Sequence, residues 1–145
     1  MKTIKRIIVV VLILFIIKIT FFLPANCKIN TKLNMIENEI SKRGYINNWF
    51  IISGKRSSWY NELLPNSAKQ SYHLHGDAID IYVFDINGDG IFNNEDVKIF
   101  ESANQYVESN YPELVGGLGT YTNKGYLSSH MIHIDTRGYK KRYNY

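Results

Sequence analysis

Two short stretches hold all four histidines of this 145-residue chain. The first, Ser71 to Asp80, reads SYHLHGDAID and carries His73, His75 and Asp80. The second reads SHMIHIDTRG and carries His130, His133 and Asp135. Imidazole nitrogens and carboxylate oxygens are both good zinc ligands. Between His73 and Asp80 stand Gly76 and Ala78, residues too small to crowd an ion. Asp80 lies inside the apolar run AIDIYVF, and a carboxylate buried there needs a cation or a metal as partner. In an extended HMIHID segment alternate residues share a face. His133 and Asp135 then fall on one side, with Ile132 and Ile134 on the other.

A second donor set follows in DINGDGIFNNED. Asp85, Asn87 and Asp89 stand at positions one, three and five of a twelve-residue loop, Gly90 at six, Ile91 at seven, Asn93 at nine and Asp96 at twelve. This is the spacing of an EF-hand calcium loop, in which position seven offers its backbone carbonyl and the glycine permits a sharp turn. Asp96 replaces the usual bidentate glutamate and resembles the dockerin form of the loop. The plainer alternative is a polar turn rich in Asp and Asn.

The elements that must position these groups can be read from periodicity. Leu33, Ile36 and Ile40 recur at helical spacing, so a helix is expected over Asn30–Arg43, ended by Gly44. WFIIS, Trp49 to Ser53, reads as a short strand, and SGKRSSWYN as a turn leading to the histidine motif. AIDIYVF reads as a buried strand, which leaves no room for a helix before the calcium loop. After the loop, Val97, Phe100, Ala103 and Val107 form the stripe of a helix that Pro112 ends. GGLGTY, a Lys124–Gly125 turn and the His133 strand come next. The tail RGYKKRYNY is basic and aromatic, and either packs on the sheet or meets an anionic polymer.

The net charge of +4 misleads. Lys2, Lys5, Arg6 and Lys18 supply all of it, so the chain from Asn26 onward has 13 basic and 13 acidic side chains. No basic footprint for nucleic acid remains. Those four cations flank the uncharged run Ile7–Ile17, and Ala25 offers a weak cleavage site. Residues 1–25 are therefore expected to be a secretory signal peptide or, uncleaved, an N-terminal membrane anchor. Asn26, where a small residue is wanted, argues against lipid attachment at Cys27. As the sole cysteine, Cys27 also rules out an internal disulfide. Residues 26–145 are expected to form one domain.

The pattern S-x-H-x-x-G-x-A-x-D, filled by Ser71, His73, Gly76, Ala78 and Asp80, resembles the signature of the zinc D-Ala-D-Ala peptidases. These are peptidoglycan enzymes of the carboxypeptidase and murein endopeptidase type. The later G-G-x-G-x-Y and H-x-D-T resemble one branch found in the Gram-negative envelope, and the likeness spans roughly Leu33 to Arg142. It implies an α+β, hedgehog-like fold with a small antiparallel sheet carrying the ligands and helices to one side. His73, Asp80 and His133 would bind zinc and leave a fourth position for water. Arg56, in S-G-x-R, would face the substrate, with Ser71 beside it. The implied activity is hydrolysis of peptidoglycan stem peptides by an exported monomer, in the periplasm or cell envelope. Many relatives place a carboxylate three residues before the last zinc histidine; His130 stands there instead. His130 and Asp135 are the candidate bases, with Asp135 alternatively orienting His133, and His75 is a weaker candidate. Two other readings compete: a non-catalytic wall-binding module on the same scaffold, and a calcium-dependent docking domain, poorer because dockerins carry two such loops.

Overall fold

The computed structural model describes residues 24–64, 67–121 and 129–144. Most of the expected leader (residues 1–23) and the Lys124–Gly125 turn lie outside the described residues. Among the described residues no helix is long and apolar enough to cross a membrane.

Helix α1 spans Cys27–Lys42 and buries Ile29, Leu33, Ile36 and Ile40 on one face. It starts three residues earlier than periodicity suggests because the Asn26 side chain accepts the Ile29 N–H and caps it. Gly44, at φ +82°, follows its end. A short helix α2, Ser58–Leu63, occupies part of the segment expected to be only a turn. Helix α3, Asn94–Asn110, is started by a reciprocal cap between Asn93 and Asp96 and buries Val97, Phe100, Ala103 and Val107.

Five strands form one sheet: β1 (Trp49–Ser53), β2 (Ala78–Val83), β3 (Gly117–Thr120), β4 (Met131–Asp135) and β5 (Lys141–Asn144), in the order β1-β2-β4-β3-β5. The expectation of an antiparallel sheet needs correction. Three pairings are antiparallel, but β5 lies parallel to β3. Both edges of β4 are already taken by β2 and β3, so the chain leaving β4 reverses and pairs on the outer edge of β3, the nearer of the two free edges. The tail thus packs on the sheet. The glycine stretch is also a strand, paired with β4 and β5, and it needs glycine at its start because a Cβ at Gly116 or Gly117 would run into Asp135.

Ile79, Ile81, Ile132, Ile134 and Leu118 point to one side of the sheet and join the buried faces of α1 and α3 in a single core. The opposite face carries a row of directly paired residues: Ser53, Asp80, His133, Gly119 and Tyr143. Ser53 enters this row because β1 bulges between Ile51 and Ser53. At the end of β4 the helices and sheet are tied by charge. The fully buried Lys32 donates from Nζ to Glu108 Oε1 (2.7 Å) and to the Asp135 carbonyl (2.9 Å). Burial pushes the Lys32 ammonium below its usual range, against the pull of Glu108.

Candidate metal centre

His73 sits in the 3-10 turn Tyr72–Leu74, which leads into β2 through Gly76 at φ +78°. Ser71 Oγ accepts the His73 backbone N–H (3.4 Å), so this hydroxyl caps the turn. His73 Nδ1 lies 2.7 Å from the Gly54 carbonyl. A carbonyl only accepts, so Nδ1 carries a proton, and the neutral ring keeps its lone pair on Nε2. The β2–β4 register sets Asp80 directly opposite His133.

Three ligand atoms meet there. His73 Nε2 is 3.2 Å from both Asp80 Oδ1 and His133 Nδ1, and the last two are 2.8 Å apart. A tetrahedral ion with bonds of about 2.0–2.1 Å has ligand–ligand edges of roughly 3.3 Å, so the triangle fits such an ion with little movement. Among the described residues this is the group of His, Cys, Asp or Glu side chains that could hold a metal ion. Each ligand is also held from behind: His73 by Gly54, Asp80 by Arg56 on Oδ2, and His133 by Asp135, whose Oδ2 lies 3.2 Å from Nε2. Outer partners of this kind fix tautomer and ring orientation in metal sites.

The electrostatics agree. Burial alone would raise the pKa of Asp80, but hydrogen bonds from His133 and His73 outweigh it and hold the carboxyl well below its usual range. Burial likewise disfavours charge on His133, yet Asp135 and Asp80 on its two nitrogens push its pKa up to about 9. A proton can therefore occupy the centre, and a bound divalent cation would displace it.

No family model matches the chain, and no curated protein or solved structure matches it either.

The sequence-derived candidates fall into three groups. His73, Asp80 and His133 converge. Arg56 stands beside them with its guanidinium engaged: Nε donates to Ser53 Oγ (2.8 Å) and Nη2 to Asp80. Asp135 is fully buried behind His133. His130 is not among the converging ligands. It lies three residues from His133, about 10 Å along an extended strand, with Nδ1 3.0 Å from Ser129 Oγ and Nε2 buried without a hydrogen-bond partner among the described residues. His75 is exposed at the end of the 3-10 turn.

In the twelve-residue loop the carboxylates face the backbone. Asp85 accepts from the N–H groups of Gly88, Asp89 and Gly90, and Asp89 accepts from Ile91. Asp96, fully buried, accepts from Ile86, Asn87 and Asn93. Asn87 accepts from Asp89 N–H, Asn93 caps α3, and Ile91 is exposed. The three carboxylates Asp85, Asp89 and Asp96 are not drawn together as His73, Asp80 and His133 are.

Sequence reasoning missed Gly54 and Arg137. Nothing marks a carbonyl in advance, but Arg137 follows His133 and Asp135 at the next alternate position.

Proposed function

We propose that the chain is an exported zinc peptidase that hydrolyses peptidoglycan stem peptides, as a D-Ala-D-Ala carboxypeptidase or murein endopeptidase with the fold of that family. The observation that carries this reading is the convergence of His73 Nε2, Asp80 Oδ1 and His133 Nδ1, each backed by a second partner, in the order in which the resembling motifs run. Zinc bound there would polarise a carbonyl and lower the pKa of a bound water. The chain's own residues would orient the ligands and present Arg56 toward the carboxylate or carbonyl of a substrate. Calcium at Asp85–Asp96 is a separate proposal, supported by spacing alone.

One observation favours the non-catalytic wall-binding module. Asp135, one candidate base, has no exposed surface and spends both oxygens on neighbours. Digestion of purified peptidoglycan by the zinc-loaded domain, with products identified by mass, separates the readings. The peptidase reading expects cleaved stem peptides, and expects His130→Ala to lose about a hundredfold in turnover while keeping zinc. Zinc binding without cleavage would transfer the assignment to the binding module.

A further inference from the structure

Asp135 is the most heavily bonded carboxylate of the site. Its Oδ1 accepts from Gly117 N–H (2.7 Å) and from the Arg137 backbone N–H (3.1 Å). Arg137 Nε lies 2.9 Å from both oxygens, and Nη2 adds a further bond to Oδ2. What remains is the contact to His133 Nε2. The guanidinium is itself enclosed. Its central carbon lies 4.6 Å from the ring centre of Tyr72 and 5.6 Å from those of Tyr139 and Tyr143, and Nη1 donates to the Tyr143 hydroxyl (2.7 Å). Gly117 leaves room for this pair: a Cβ there would stand 2.5 Å from Asp135 Oδ2 and 2.8 Å from Arg137 Nη2.

We propose that Arg137 is a positioning residue for the metal centre, fixing the Asp135 carboxylate and, through it, the ring of His133. A carboxylate free to rotate would offer His133 several geometries. One clamped by a planar fork offers one, and so aims Nδ1 at the position shared with His73 and Asp80. Arginine is required because lysine presents a single point charge without the fork. The stacked tyrosines hold the guanidinium plane and shield it from water. The role rests on the reading of His73, Asp80 and His133 as a metal site.

The test measures zinc affinity by competition with a chelating dye, the visible bands of the cobalt-substituted protein, and the metal-free melting temperature. Arg137→Lys should lose roughly tenfold or more in zinc affinity, the range typical of outer-partner loss, and shift the cobalt bands. Asp135→Asn should do the same, and the double variant should be no worse than Asp135→Asn alone, because both act through one contact. A purely structural Arg137 would matter only as a tie to β5. Arg142→Gln loosens β5 from Gly116 and Glu108 without touching Arg137, and should lower the melting temperature while leaving zinc affinity within about twofold. If Arg137→Lys does not fold, Tyr72→Leu strips one ring from the guanidinium, and its loss of affinity should vanish in the Asp135→Asn background. Losses that add, or an Arg137→Lys protein that binds zinc as wild type does, would overturn the positioning role alone. A wild type that takes up neither zinc nor cobalt would overturn the metal site and this role with it.

Discussion

At the His73–Asp80–His133 centre each side chain is held from behind, His73 and Asp80 by groups distant in sequence and His133 by Asp135 on its own strand, so its remaining donor atom points inward. In the Asp85–Asp96 loop the carboxylates are held by backbone N–H groups of the loop itself. Both regions have metal-binding spacing. They differ in where the competing donors come from. A contiguous loop of Asp, Asn and Gly can satisfy its carboxylates locally, as Asx turns do. Ligands on separate elements have no such outlet: an imidazole and a carboxylate set opposite each other on paired strands must share protons or a cation.

The largest expected effect tests the first half of that contrast. His133→Ala should reduce zinc affinity by roughly a hundredfold or more, one ligand's share of a site worth about 10–16 kcal/mol. Asp89→Ala should leave zinc binding unchanged. Equal zinc in wild type and His133→Ala would remove His133 from the centre.

The contrast extends to buried charge. Lys32→Ala would leave Glu108 with only Arg142 and the Gly116 N–H and free the Asp135 carbonyl, at a cost of about 3 kcal/mol, the low end for a broken buried pair. Urea unfolding of the metal-free domain measures it, and a loss under 1 kcal/mol would mean that the pair contributes little. Asp96→Ala should cost about 2 kcal/mol, since three backbone N–H groups lose their acceptor and α3 loses half its cap. The decisive control is calcium: a structural Asp96 costs the same with chelator as without.

Calcium itself should give the smallest effect. A site of about millimolar affinity, offered tenfold more calcium than its Kd, gains roughly 1.4 kcal/mol. That is a rise of a few degrees in melting temperature, and Asp89→Ala should abolish it. A wild type whose melting is the same in calcium and in chelator would leave the loop as a turn.

Much of this was legible in the sequence because it is periodic. MIHID alternates, so the shared face of His133 and Asp135 could be read, and AIDIYV could be read as a buried strand around Asp80; the register that sets Asp80 opposite His133 could not. The stripe from Val97 to Val107 gave α3. Less was legible where side chains are absent or partners remote. Gly117 to Thr120 carries no strand pattern in GLGT, yet pairing with β4 and β5 makes it one. The parallel placement of β5 depends on which edges are already occupied, which no local period encodes. At the site, ligand types could be read and their backing could not: Gly54 contributes only a carbonyl, and the clamp on Asp135 depends on β3 lying beside β4.

The bulge in β1 has a consequence for insertions and deletions. Phe50 pairs with Tyr82 and Ser53 with Asp80, three steps on one strand against two on its partner. Loss of one residue at Ile52 would restore regular pairing and leave Ser53, and Arg56 beyond it, facing Asp80. Strand β4 has no such slack. One residue gained or lost between His133 and Asp135 would turn one of them into the core. Length variation in this sheet should therefore be confined to the segment before Arg56, while the spacing from His133 through Asp135 to Arg137 is fixed.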